Sequence, residues 1–315
     1  MKTLAILILA HRNAKQVKRL VESLHHEDID IYIHCDKKWD TGYNELKEIE
    51  SESIFVTDKR LSTNIDIWTL AQAPIHMFSN ITKKYKYYAL ISGADYPLIP
   101  PEKMLAELNE AYPKPFIDCT PYDKTNWVYH KFSSYGLYRK YNKFINRHFK
   151  KSPYRKFLKA PVLYLTRYTL DKLHNPKQDL DKLGVKLYGG SAWWILPDKI
   201  MEYILEEYNK SDEYIEVLKK TFTPEETFYQ IMAMRSPLAE LVDVNPIDKV
   251  SQNCKTYAYF SSDTKPFKGH PYEFTIDDFD LLAEKSKDCY FARKFDIDID
   301  SKILDKIDEQ LLGGI

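Results

Sequence analysis

Short apolar runs alternate with stretches of helical period between residues 4 and 118, and that alternation leaves few architectures open. Residues 4–10 are apolar without interruption, the pattern of a strand covered on both faces. Asn13 stands where a helix cap belongs, ahead of Val17, Leu20, Val21 and Leu24 at helical spacing. Residues 29–35, 54–57, 85–92 and 116–118 read as further strands. Residues 68–78 read as a helix in spite of Pro74, and Pro100 or Pro101 opens another through Leu108. Later, residues 192–196 read as a strand, 198–208 as a helix, and Leu241-Val242 as a short strand. The spacing predicts an α/β fold: a mixed, mostly parallel central sheet with helices on both sides. Ligands of such sheets sit beyond the carboxyl ends of the strands. That places His11, Asp36 and Asp95 beside one crevice, since each closely follows a strand.

The chain has 315 residues with 46 basic and 46 acidic side chains, so its charge gives no reason to expect nucleic acid. Cys35, Cys119, Cys254 and Cys289 lie far apart and read as free thiols in a reducing compartment. The opening apolar run is too short for a membrane span and no cleavage site follows it, which points to a cytoplasmic protein. A single domain over residues 1–315 is expected, with a basic, aromatic helical insertion at about 128–175. That segment includes HKFSSYGLYRKYNKFINRHFKKSPYRKFLKAPVLYLTRY, which carries no acid. It reads either as a solvated helical face or as a surface for an anionic acceptor or lipid headgroups, the second giving peripheral contact with a membrane.

Phosphate-cradling glycine motifs are absent, as are a nucleophile elbow and a HExxH zinc motif. A metal that holds a diphosphate wants paired carboxylates after a strand. ISGADYP offers only Asp95 there, Asp28 and Asp30 begin a strand instead of ending one, and Asp296, Asp298 and Asp300 read as an alternating polar edge. No metal is therefore expected. Fixed cations must then meet any phosphate, and Arg293-Lys294 in FARKF is the candidate pair, a solvated basic turn being the plainer reading. TPEETFYQI also has a plain reading. Thr223 suits an N-cap, Pro224 the first helical position, and Glu226 completes a capping box.

Six motifs occur in order: ILAHRN, IYIHCDKKWD, ALISGADYPL, GGSAWWIL, TPEETFYQI and CYFARKFD. Their succession resembles the core-2/I-branching N-acetylglucosaminyltransferases and peptide O-xylosyltransferase, from about residue 3 to residue 296. The resemblance implies a GT-A-type fold and an inverting, metal-independent glycosyltransferase. Such an enzyme moves a sugar, N-acetylglucosamine by family weight, from a UDP-sugar to a hydroxyl of a glycan or lipid-linked glycan, with no cofactor. By position Glu226 matches the catalytic base, while Arg293 and Lys294 match the residues that hold the diphosphate. His11, Asp36 and Asp95 fall in donor-binding segments, and Lys268 or His270 would supply a further cation. Ser191, Trp193 and Trp194 lie in the segment near the reaction centre. The family commonly has a Trp-Gly pair after its third strand; here LSTNIDIWTL has Trp68 offset and no glycine. Animal members carry a membrane anchor, a stem and several disulfides. Their lack in this sequence implies a bacterial relative acting in polysaccharide assembly. A metal-dependent transferase, or a non-catalytic carbohydrate- or nucleotide-binding protein, is the alternative.

Overall fold

The computed structural model describes residues 1–64, 68–133, 174–247, 252–259 and 271–314, with isolated positions between 134 and 173. Lys268 and His270 lie outside the described residues, as does most of the basic insertion.

The long apolar run forms β1 (Lys2–Ala10), which sits at the centre of a six-stranded sheet. Its neighbours are β2 (Ile29–Cys35) and β4 (Tyr85–Ser92), both parallel to it, and β3 (Ile54–Val56) extends the sheet beyond β2. On the other side β9 (Trp194–Pro197) runs antiparallel to β4 and to β6 (Phe116–Ile117), so the order is β3-β2-β1-β4-β9-β6. This is the mixed, mostly parallel sheet that the alternation predicted.

The reason β1 lacks polar residues is visible in the packing. Leu4, Ile6 and Ile8 point into one core with Val17, Leu20 and Ile33. Ala5, Leu7 and Leu9 point into a second core on the opposite face, with Leu90, Ile200 and Ile231. Side chains alternate across a strand, so a strand with helices over both faces has no position left for water. The first core is closed by the helix Ala14–Ser23, capped as predicted by Asn13, whose Oδ1 accepts from the Gln16 amide at 3.2 Å. The second is closed by the helices Trp68–Ser79, Asp198–Lys210 and Phe228–Arg235.

Two smaller sheets lie beside the main one. One joins β10 (Thr256–Ala258) and β5 (Asp95–Pro97) to the two sides of β11 (Phe291–Arg293); the other pairs β7 (Thr120–Pro121) with β8 (Tyr188–Gly189). All four cysteines are free and buried. Among the described residues no helix is long and apolar enough to cross a membrane.

Three local expectations fail. Leu241 closes a 3-10 turn, Ala239–Leu241, and of the strand expected near it only an isolated parallel bridge forms, from Val244 to Cys119. The acids after β11 lie on a turn, not an alternating edge: Asp296 and Asp298 accept from the Asn13 amide group at 3.2 and 3.0 Å, and Asp300 accepts from the Ile276 amide. Thr223 makes no capping bond, because its hydroxyl donates to the Phe222 carbonyl at 2.7 Å. The helix that TPEETFYQI was expected to start is split into a 3-10 turn, Pro224–Glu226, and a separate helix, Phe228–Arg235.

Candidate active site

The carboxyl ends of β1, β2 and β4 lie side by side. Ala10 pairs with Cys35 and Leu9 with Ser92, so His11, Asp36 and the turn after Ser92 share one edge of the sheet. The antiparallel β9 starts where β4 ends, Trp194 facing Leu90, and brings the preceding Ser191–Trp193 segment to the same edge.

Arg293 occupies the buried middle of this edge, 8% exposed. Its placement comes from β11 pairing with β5, where Arg293 stands opposite Asp95. Nη1 lies 3.5 Å from Asp95 Oδ1, and the guanidinium stacks on the Trp193 ring with Cζ 4.1 Å from its centroid. Asp95 is 0% exposed and is oriented by Ser92, whose hydroxyl and amide donate to it at 2.6 and 2.9 Å. Burial pushes the Asp95 carboxyl up against the pull of Arg293, and burial pushes the guanidinium down. Arg293 Nε and Nη1 are buried and have no hydrogen-bond acceptor among the described residues. A buried donor left unmade costs about 1–3 kcal/mol, so the arrangement is suited to an incoming anion.

More cations crowd the same place. Lys294 is half-buried, with the charges of Glu273 and Asp95 offsetting only part of the repulsion on its ammonium. Burial lowers its pKa first, followed by repulsion from Arg293 and Arg12. His11 is displaced downward too, by desolvation, then Arg12 and Lys294. Arg12 is partly neutralised by Glu273 and Asp296, each at 3.4 Å. Like charge crowded in this way is what an anionic ligand would neutralise.

Asp36 is bound within the chain. Its Oδ2 accepts from the Thr63 hydroxyl at 2.6 Å and amide at 3.0 Å, and its Oδ1 accepts from the Lys38 amide at 2.8 Å. Burial pushes this carboxyl up, but those bonds outweigh it and hold the pKa below the usual range. Asp36 therefore braces the loop beyond β3. Trp194 is likewise not at the open site. It is 1% exposed and packs its ring 4.8 Å from Tyr229 in the second core. Trp68, also core-facing, lies edge-on to Phe228 at 5.0 Å.

Glu226 lies on the turn before the helix Phe228–Arg235, its side chain 33% exposed. Its carboxylate does not reach back to cap the turn; Oε2 instead accepts from Lys131 Nζ. Its carbonyl accepts from the Gly190 amide at 2.9 Å. Gly190 fits only without a side chain, since a Cβ there would stand 1.8 Å from the Asp118 carbonyl oxygen. The short segment from Gly190 through Ser191 to Trp193 thus ties Glu226 to the ring that supports Arg293. Ser191 is held in turn: its carbonyl accepts from Gln230 Nε2 at 2.7 Å and its hydroxyl from the Trp193 amide at 3.3 Å.

Sequence reasoning passed over Gln16 and Lys131. Gln16 is 2% exposed and bridges the turn and tail: Nε2 donates to Gly93 O at 3.2 Å and Phe295 O at 2.9 Å, and Oε1 accepts from Ile297 N at 2.8 Å. A polar side chain on the buried stripe of an amphipathic helix was the available signal. Lys131 carried none, being one of many cations in its segment. Among the described residues no three His, Cys, Asp or Glu side chains converge as metal ligands.

Residues 4–282 match the family model described as Core-2/I-Branching enzyme. Xylosyltransferase 2 of Rattus norvegicus is 24% identical over 329 residues, which cover 99% of this chain and 34% of that protein. Xylosyltransferase 1 of Rattus norvegicus is 23% identical over 326 residues, 98% of this chain and 35% of that protein. The chain therefore spans 34–35% of the length of these relatives. Of solved structures, the apo form of mouse xyloside xylosyltransferase 1 aligns with a TM-score of 0.38 and 8% identity, over 93% of this chain and 97% of that one. The motif order and the family match over most of the chain agree: the chain belongs to the Core-2/I-branching enzyme family, a glycosyltransferase family.

Proposed function

We propose that this chain is an inverting transferase that moves a sugar from a UDP-sugar to a hydroxyl of a glycan acceptor. The observation that carries the reading is Arg293: a buried guanidinium, stacked on Trp193, with two donors lacking acceptors and Lys294 beside it. That is a preorganised seat for a diphosphate. Glu226, tied to it through the Gly190–Trp193 segment, is the base. It takes the proton of the acceptor hydroxyl while that oxygen attacks the anomeric carbon from the face opposite UDP. The bond from that carbon to the diphosphate breaks, and Arg293 and Lys294 stabilise the negative charge that leaves with UDP. General-base assistance of this kind is typically worth about 10²–10⁴-fold, and charge stabilisation by fixed donors adds to it.

Metal independence is part of the reading. Asp36 and Asp95, the carboxylates nearest the strand ends, are already bound by Thr63, Lys38, Ser92 and Arg293. UDP-xylose heads the donors to test, because the relatives are named as xylosyltransferases, and UDP-N-acetylglucosamine follows. The acceptor class is a glycan of surface-polysaccharide type, lipid-linked forms included.

UDP release from a panel of UDP-sugars, with glycan acceptors and with EDTA present, tests the reading. Expected are turnover with one donor, no more than a small effect of EDTA, and loss of turnover in Glu226→Gln with UDP binding retained. Near-normal turnover in Glu226→Gln removes that residue as base. Strong EDTA inhibition restores a metal-dependent mechanism. UDP binding without turnover of any donor favours a binding protein.

A further inference from the structure

We infer that Lys131 is a positioning residue for the transfer step: its ammonium clamps one oxygen of the Glu226 carboxylate and so presents the other to the acceptor hydroxyl. The inference rests on the reading of Glu226 as the base. The contact is Lys131 Nζ to Glu226 Oε2, across 95 residues of sequence. Among the described residues Oε1 has no hydrogen-bond partner, on a side chain 33% exposed, while the lysine side chain is only 12% exposed.

The clamp is built from more than one direction. Lys131 lies in the single helical turn Tyr129–Phe132, and its Nζ sits 5.4 Å from the Trp127 ring centroid and 5.3 Å from that of Phe222. Two aromatic faces confine the ammonium and exclude water from its sides. The main chain adds a strut, since the Phe222 amide donates to the Lys131 carbonyl at 3.2 Å. The lysine therefore reaches the base from the loop that leads into Thr223 as well as from its own helix. Opposite, the Gly190 amide holds the Glu226 carbonyl. Backbone and carboxylate are fixed separately, which removes the freedom to rotate Oε1 away from the acceptor.

A carboxylate that is merely glued in place for stability would behave differently from one that is being aimed. The test uses the full chain, with initial rates over a range of UDP-sugar and acceptor, and calorimetric binding of UDP. Lys131→Met keeps the apolar stem between the two rings and removes the charge. We expect kcat to fall about 10–100-fold, within the range that base assistance supplies, with donor KM and UDP affinity within twofold. Lys131→Arg restores the cation and returns kcat to within about threefold of the parent, a rescue that lost packing would not show. In the Glu226→Gln background, Lys131→Met has no further effect on the residual rate. A Lys131→Met enzyme with kcat within threefold of the parent overturns the inference, as does a fall shared equally by kcat and UDP affinity. If Glu226→Gln itself keeps full turnover, the base assignment fails first and is recognised separately. Should Lys131→Met fold poorly by circular dichroism, Trp127→Leu, which loosens the same clamp from the side, is to lower kcat with donor KM unchanged. An unaltered kcat in that variant also overturns the inference.

Discussion

Replacing Arg293 by Met separates a functional cation from a structural one, because the two roles predict opposite balances of stability and binding. Removing one partner of a buried pair typically costs about 3–5 kcal/mol, since Asp95, 0% exposed, would be left with only Ser92 to bond it. The stack on Trp193 adds about 0.5–2 kcal/mol to that loss. Against this stand Nε and Nη1, each buried without an acceptor, whose removal returns about 1–3 kcal/mol apiece. The terms largely offset, so Arg293→Met is expected to change the stability of the ligand-free protein by less than about 2 kcal/mol. UDP binding should respond far more. Two charge-assisted bonds at about 1.5–3 kcal/mol each imply at least a hundredfold weaker binding. Urea denaturation with and without UDP reads both quantities. At a ligand concentration a hundred times its dissociation constant, UDP should stabilise the parent by about 2.7 kcal/mol and the variant hardly at all. A variant that loses about 4 kcal/mol or more without ligand, yet is stabilised by UDP as the parent is, would refute the argument and make Arg293 a strut. Asp95→Asn serves as the companion, expected to weaken UDP binding less, since it frees the guanidinium without deleting it.

Other perturbations follow from the same geometry. Gly190→Ala puts a Cβ 1.8 Å from a backbone oxygen of Asp118, so the segment that ties Glu226 to Trp193 must move; a loss of about 1–3 kcal/mol in urea and a collapse of turnover are expected, and a variant within 0.5 kcal/mol of the parent contradicts the close approach. His34 is 1% exposed and its Nε2 accepts the Leu61 amide at 2.8 Å; burial first of all lowers its pKa from 6.5 to about 4. The folded-state value lies below the unfolded one, so the stability this neutral ring contributes is whole above pH 6.5 and is lost as pH falls through 4, an amount on the order of 3 kcal/mol. Urea midpoints from pH 7 to pH 4 should show this slope, and His34→Gln should flatten it; an unchanged slope in that variant removes His34 as its source.

Much of the molecule was legible because its causes are local. The strands at Ile29–Cys35 and Tyr85–Ser92 have the bounds that their composition predicts, and Asn13 caps the helix it precedes. Where neighbours a few residues away decide the conformation, the order of residues is enough. The short elements resisted for the opposite reason. Leu241-Val242 has strand composition, but pairing comes only at Val244, as an isolated bridge to Cys119, and a strand exists only by pairing. The aspartates after β11 alternate as an edge would, yet each finds a bonding partner in Asn13 or Ile276 and the chain turns. Trp194 and Trp193 are adjacent and chemically alike; Trp194 opens β9 and enters the core beside Tyr229, while Trp193, ahead of the strand, stacks on Arg293.

Glu226 shows most sharply what each level decides. Sequence alone determined that a carboxylate would stand at the start of TPEETFYQI, within an ordered set of motifs. Both a cap and a base satisfy that pattern. Only the tertiary structure brings Lys131 to the carboxylate from 95 residues away, Gly190 to its carbonyl, and Gln16 between Gly93 and Phe295 behind the cations. A side chain takes the strongest partner within reach, and reach across the chain is set by packing that no local pattern encodes.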